Sequence, residues 1–118
     1  MSNSLSVVII AKNEEKFIGD AIHSAKFANE VLILDSNSSD KTCEIALKMG
    51  ARVEQHDWLG FGKQKNLAVK LAINDWVFVL DSDERITEEL QIEILSEIDE
   101  PSSNGYFVPR LNWFFGKS

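Results

Sequence analysis

Short unbroken apolar runs alternate along this chain with longer segments whose apolar residues recur at helical spacing. That alternation constrains the fold more than any other feature. Ser6 to Ala11, Val31 to Leu34 and Trp76 to Leu80 are continuous and rich in β-branched residues, the pattern of parallel strands buried on both faces. Between them, Phe17, Ile18, Ala21, Ile22 and Ala25 make one amphipathic helical stripe, Thr42, Ile45, Ala46 and Met49 a second, and Leu67, Ala68, Leu71 and Ala72 a third. Leu90, Ile94, Leu95 and Ile98 make a fourth, with Thr87 as its expected N-cap and Glu88 and Glu89 placed favourably against the helix dipole. Gly50 suits the stop of the second helix. Ala51 to His56 reads as a more peripheral strand and Tyr106 to Phe115 as a final one. The order β-α-β-α-β-α-β-α-β predicts an α/β fold, a mainly parallel sheet with helices on both faces.

Length and charge narrow the class further. A chain of 118 residues makes one domain, and such a chain buries roughly 60 to 70% of its extended surface on folding, so it needs no disulfide staple. Twelve basic against 19 acidic residues, a net charge of -7, argue against a partner bound by neutralising phosphate backbones, so nucleic acid is not expected. Cys43 is the only cysteine, which excludes an intramolecular disulfide and a multi-cysteine zinc site and fits a reducing cytoplasm. The longest strictly apolar stretches have five residues, against about 20 for a membrane-spanning helix. Met1-Ser2-Asn3-Ser4 lacks the basic and apolar regions of a secretory signal. A cytoplasmic protein without a transmembrane segment is the expectation.

In an open α/β sheet the ligand sits outside the carboxyl ends of the strands, where the winding direction reverses. The first strand runs into Lys12-Asn13-Glu14-Glu15, the second into Asp35-Ser36-Asn37-Ser38-Ser39-Asp40 and the fourth into Asp81-Ser82-Asp83-Glu84, so acidic groups gather on that edge. Two carboxylates within ~4 Å repel by about 4 kcal/mol at an effective dielectric of 20, and holding Asp81 and Asp83 ionised there calls for a cation. Mg²⁺ or Mn²⁺ suits a site of few carboxylates and substrate phosphates. The other reading of the triplet is a turn that ends a strand and caps the next helix. Asp35 ends its strand as Asp81 ends the fourth, and the topology is expected to bring the two ends to one crevice.

Asn13-Glu14 is expected to open the first helix, where free N–H groups favour an anionic partner and Asn13 could equally be the cap. Trp58 to Asn66 is a glycine-bearing loop entering a helix, with Lys63 and Lys65 either as phosphate partners or as solvated charges. It lacks the third glycine of a dinucleotide fingerprint and the Ser or Thr of a Walker loop. His23 and His56 share no metal-ligand spacing, and Cys43 reads as a small hydrophobe.

Four ordered segments, Ser6 to Glu15, Glu30 to Thr42, Gly62 to Asn66 and Asp75 to Glu84, together resemble the N-terminal half of family 2 glycosyltransferases. That resemblance implies the Rossmann-like nucleotide-sugar-binding part of a GT-A fold over residues 1–118. Trp58-Leu59-Gly60-Phe61-Gly62, Gln64-Lys65-Asn66 and Asp81-Ser82-Asp83-Glu84 are similar to the branch of bacterial glucosyltransferases of lipopolysaccharide core assembly. The resemblance implies a UDP-sugar donor, a saccharide or lipid-linked saccharide acceptor, transfer with inversion, and peripheral association of the full-length protein with the inner face of the cell membrane. It also implies that Ala11 and Asn13 border the uracil and ribose, that Glu14 belongs to the nucleotide site, and that Asp35 hydrogen-bonds the uracil edge. Lys65 would sit near the nucleotide, and Asp81 and Asp83 would form the metal motif, with Asp83 as direct ligand of Mg²⁺ or Mn²⁺.

In that family the catalytic base and most of the acceptor site lie further along a longer chain, so no catalytic residue is expected before Ser118 and the chain reads as truncated. Its aromatic end, Leu111 to Phe115, would expose an apolar patch or bury it against a second copy. Two other classes share the strand-end carboxylates: a receiver-like Mg²⁺-binding signalling module and an Asp-dependent phosphatase. The first needs an acidic pair after the first strand, where this chain has Lys12-Asn13, and a Lys ending the fifth, which carries Arg110. The second expects a small residue where Glu84-Arg85 follows Asp83.

Overall fold

Strand β1 (Leu5–Ala11) is buried along its whole length, as an unbroken run of β-branched residues between two layers must be. The computed structural model describes residues 4–99 and, beyond them, the backbone of two strands. Parallel strands β2 (Glu30–Asp35) and β4 (Trp76–Asp81) flank β1, and β3 (Arg52–Gln55) pairs with the outer side of β2. The sheet order is β3-β2-β1-β4-β6-β5, where β5 (Gly105–Val108) and β6 (Trp113–Lys117) are antiparallel to their neighbours. The expected mainly parallel α/β sheet is therefore present, with its parallel part formed by the first four strands.

Side-chain parity divides the core. Leu5, Val7, Ile9 and Ala11 of β1 join Trp76, Phe78 and Leu80 of β4 in one cluster, with Ile18 and Ile22 of helix α1 (Ile18–Ser24), Ala46 of α2 (Thr42–Lys48) and Leu90, Ile94 and Ile98 of α4 (Glu88–Asp99). Val8 and Ile10 join Leu32, Leu34, Val77 and Val79 on the opposite face, under Ala68 of α3 (Phe61–Leu71). Helices thus cover both faces. Leu90 N–H donates to Thr87 Oγ1, which makes Thr87 a working cap. Gly50, at φ +88°, ends α2 in the left-handed conformation that glycine adopts without strain. None of the described helices is long and apolar enough to cross a membrane.

Several expectations shift. The first helix begins at Ile18, not at Asn13, because Asn13 has φ +51° and the amides after β1 are already taken. Asn13, Glu14 and Glu15 N–H donate to Ser38 Oγ, Thr42 Oγ1 and Asp40 Oδ2. Asn13 is therefore not a helix cap; its Oδ1 accepts the N–H groups of Ser39 and Asp40. Helix α3 starts at Phe61, so most of the glycine-bearing segment is helix, with Gly60 at its N-cap. Phe17 and Leu95, placed in buried stripes by periodicity, are exposed. The final strand is two: β6 lies inside the sheet against β4, with β5 outside it. The side chains of the aromatic segment, and Arg110, lie outside the described residues.

Candidate functional site

From β1 the chain winds outward to β2 and β3, then crosses back to place β4 on the other side of β1. The reversal falls between β1 and β4, and their carboxyl ends open onto a cleft of about 210 Å³. Ligand pockets usually measure roughly 300–1,000 Å³, so this cleft would enclose part of a large ligand and leave the rest open. Ile10 and Ala11 of β1, Asp81, Ser82 and Asp83 after β4, Lys12 and Glu14 of the turn after β1, and Ser36 and Trp58 line it. Backbone bonds hold these ends in register: Ser36 N–H donates to Ala11 O, and Ser82 N–H to Ile10 O.

The charge balance in the cleft favours a cation. Asp81 is half-buried; burial first, then the negative charges of Asp83, Glu84 and Glu14, raise its carboxyl above the ordinary range, while Lys65 pulls the other way. Lys65, partly buried in α3 with its Nζ 4.4 Å from the Phe61 ring centroid, is itself lowered by burial against the pull of Asp81. Burial outweighs the attraction between the two, and the carboxylates of Asp81, Asp83, Glu84 and Glu14 stand against Lys65 and, on the cleft wall, Lys12. Ser82 Oγ donates to Glu14 Oε2 at 3.1 Å, tying the turn after β1 to the Asp81–Asp83 segment. Among the described residues no three His, Cys, Asp or Glu side chains converge as a metal site. A carboxylate pair completed by phosphate oxygens and water is nevertheless the donor set that Mg²⁺ and Mn²⁺ use, so Asp81 and Asp83 fit such an ion.

The residues expected from sequence separate into three groups. Ala11, Glu14, Asp81 and Asp83 line the cleft. Lys65 stands close enough to Asp81 for the two charges to act on each other. Asn13 and Asp35 are elsewhere. Asn13 is spent on the β2–α2 loop. Asp35 has the parity of Val31 and Ile33, whereas Asp81 has that of Val77 and Val79, so the two strand-end acids point to opposite faces of the sheet. The Asp35 carboxylate is fully buried, accepts bonds from Ser38 N–H, Ser38 Oγ and Gln55 Nε2, and faces Cys43, whose thiol is pushed up to about 11 by burial and then by Asp35. It braces the loop and does not meet the cleft. Strand-end position and the family resemblance both selected Asp35; among the described residues it is Ser36, the residue after it, that lines the cleft. Trp58 was also missed as a lining residue, although an aromatic in a polar loop was its signal.

Comparisons with known proteins follow this geometry. Residues 6–116 match the family described as Glycosyl transferase family 2. The chain is 44% identical over 95 residues to an uncharacterized glycosyltransferase of Rickettsia conorii, covering 80% of this chain and 34% of that protein. It is 33% identical over 119 residues to the lipopolysaccharide core biosynthesis glycosyltransferase LpsC of Rhizobium meliloti, covering 95% of this chain and 44% of LpsC. Among solved structures, S. aureus TarS in complex with UDP-GlcNAc superposes with a TM-score of 0.73 at 29% identity, over 88% of this chain and 33% of TarS. Glucosyl-3-phosphoglycerate synthase of Mycobacterium tuberculosis, in complex with Mn²⁺, UDP and phosphoglyceric acid, superposes with a TM-score of 0.71 at 26% identity, over 86% of this chain and 41% of that one. The chain thus spans about a third of the length of the Rickettsia relative.

Proposed function

Because the chain belongs to glycosyl transferase family 2 and carries the Rossmann-like part of a GT-A fold, we propose that its cleft binds the nucleoside diphosphate of a UDP-sugar donor together with Mg²⁺ or Mn²⁺. The observation that carries this reading is Asp81 and Asp83 on a cleft at the winding reversal, with excess negative charge around a half-buried carboxylate. Structural relatives crystallised with UDP-GlcNAc, and with Mn²⁺ and UDP, support it. The membership also sets aside the receiver-like and phosphatase alternatives.

Asp83 and Asp81 would hold the ion, which when bound supplies Lewis-acid stabilisation of the departing nucleoside diphosphate. Glu14 fixes the Asp81–Asp83 segment through Ser82, so the carboxylates are oriented before the donor arrives. Lys65 supplies the local positive charge that opposes the rise of the Asp81 carboxyl in a partly dry site. Ile10 and Ala11 form an apolar border that limits water at the same place. No described residue is assigned the deprotonation of the acceptor. By likeness to LpsC, the acceptor is a cell-envelope saccharide of lipopolysaccharide-core type; inversion at the transferred sugar and work at the inner face of the membrane are what the family resemblance implies.

Titration of the chain with UDP in the presence of Mn²⁺ tests the reading. The wild type binds UDP more tightly with metal than without, and Asp83→Ala removes that metal-dependent gain while leaving the circular dichroism spectrum unchanged, because Asp83 is an exposed residue past the end of β4. Equal UDP affinity in the two proteins with Mn²⁺ present would refute the metal assignment.

A further inference from the structure

Helix α1 and the segment leading from β4 into α4 lie side by side, joined where Ile86 N–H donates to Ser24 Oγ at 3.0 Å. The surface between them is concave. A cavity of about 390 Å³ is lined there by Asp20, His23, Ser24, Arg85, Ile86 and Thr87, within the roughly 300–1,000 Å³ of ligand sites. A smaller one of about 180 Å³ is lined by Phe17, Asp20, Asp83, Glu84 and Arg85. The two share Asp20 and Arg85, and the smaller shares Asp83 with the cleft, so one groove descends from the carboxylate pair along α1. It follows the 7 residues of that helix, about 10 Å at the helical rise. Its polar lining is uncommitted. Asp20 and Arg85 border both cavities, yet neither takes part in an ion pair or a side-chain hydrogen bond among the described residues, and the His23 ring makes none either. A carboxylate and a guanidinium that line one cavity without meeting leave room for polar groups of a ligand between them. Phe17, left 50% exposed at the start of α1, adds an aromatic face beside Asp83.

We infer that this groove docks an acceptor oligosaccharide, holding the sugars behind the one that reacts and leading the reacting end to the donor beside Asp83. The inference rests on the donor-binding reading above. It places an acceptor contact within residues 17–87, ahead of the part of the family's longer chain where most of the acceptor site is expected. A sugar ring carries hydroxyls that both donate and accept, together with a C–H face. Asp20 accepts only, and Arg85 donates only, through a fork that suits two neighbouring oxygens. The Phe17 ring covers a C–H face. An apolar ligand would strip these charges of water without replacing it, and a nucleic acid strand would meet Asp20, Asp83 and Glu84 against the single guanidinium of the smaller cavity. Continuity with the cleft sets the direction, because a chain of sugars whose end reaches Asp83 stands next to the group to be transferred.

Amide NMR spectra of the whole chain, with UDP and Mg²⁺ present, test the groove by titration with the core oligosaccharide released by mild acid from Rhizobium meliloti lipopolysaccharide, the acceptor type to which likeness to LpsC points. The signals of Asp20 to Ser24 and of Glu84 to Thr87 shift together. Arg85→Ala weakens the oligosaccharide about tenfold and Phe17→Ala about threefold, while both bind UDP as the wild type does. Both side chains are exposed, so the circular dichroism spectrum stays that of the wild type. With Mn²⁺ in place of Mg²⁺, the paramagnetic ion broadens the protons of one end of the oligosaccharide more than those of the other. Unchanged oligosaccharide affinity in Arg85→Ala, shifts confined to other surfaces, or equal broadening along the oligosaccharide would overturn the groove. So would a wild-type chain that binds UDP with metal but no oligosaccharide, and all of these results leave the donor reading intact. A chain that binds the oligosaccharide but no UDP with either metal would overturn the donor reading, and the acceptor role of the groove with it.

Discussion

Asp81 sits where its own charge is unwelcome. Burial and the carboxylates of Asp83, Glu84 and Glu14 disfavour its ionised form, and only Lys65 opposes them. A residue retained for a ligand at the expense of the empty fold should reveal itself by stabilising the chain when neutralised. Asp81→Asn is expected to raise the stability of the ligand-free protein at pH 7 by about 0.5 kcal/mol, a small figure because the group is half exposed and screened, and to lose metal-dependent UDP binding. A lowered thermal transition in Asp81→Asn would show that the carboxylate is structural. Cys43 gives a pH-dependent counterpart away from the cleft. Its folded thiol titrates at about 11 against an ordinary 9.0, so between those values the folded chain keeps a proton that the unfolded chain has lost. The associated stability is complete below pH ~9 and declines as pH rises through about 11. Iodoacetamide labelling of folded protein should keep accelerating with pH beyond 9, while labelling in urea levels off earlier; superimposable profiles would contradict the partly buried, Asp35-facing placement.

At the scale of elements, the segment before and into α3 separates two glycines that look alike in sequence. Gly60 is the N-cap, at φ +95°, where an L side chain is strained; Gly62 lies inside the helix, and a Cβ added there meets nothing within 4 Å. Gly60→Ala should destabilise the chain by about 1 kcal/mol and Gly62→Ala should stabilise it by about 0.5 kcal/mol, both read as shifts in urea midpoint. Effects of the same sign would argue that α3 begins elsewhere. The strands and helices themselves were legible because period-2 and period-3.6 patterns depend only on neighbouring residues. The start of α1 was not, since it is set by Ser38, Asp40 and Thr42, more than 20 residues away, capturing the amides of Asn13 to Glu15. Asp35 failed for a related reason. It stands at the strand end, but its carboxylate is taken by Ser38 and Gln55, partners that a linear reading does not contain.

For the whole molecule, the cleft and the two core layers depend on the same pair of strands. β1 sends Val7 and Ile9 to one layer and Val8 and Ile10 to the other, β4 does the same with Phe78 and Leu80 against Val77 and Val79, and both end at the cleft. The family was legible in four ordered segments, and the carboxylate pair at the cleft because Asp81-Ser82-Asp83 is contiguous in sequence; the side of the cleft lined by Ser36 and Trp58 was not, because Ser36, Trp58 and Gln64 meet only through the fold. With both layers built on shared strands, a cavity in either should loosen the whole. Ile9→Ala, at a fully buried position, should cost about 3–4 kcal/mol out of a total of roughly 5–15 for a domain. Ile92→Ala, on the exposed side of α4, should stay within about 0.5 kcal/mol. If the layers are one cooperative unit, far-ultraviolet circular dichroism and tryptophan fluorescence will report one coincident urea transition for Ile9→Ala, and UDP with Mn²⁺ will shift both probes equally. Separate transitions would mean that the α3 layer can open on its own. The residues that it brings to the cleft would then be ordered by the donor and not in advance of it.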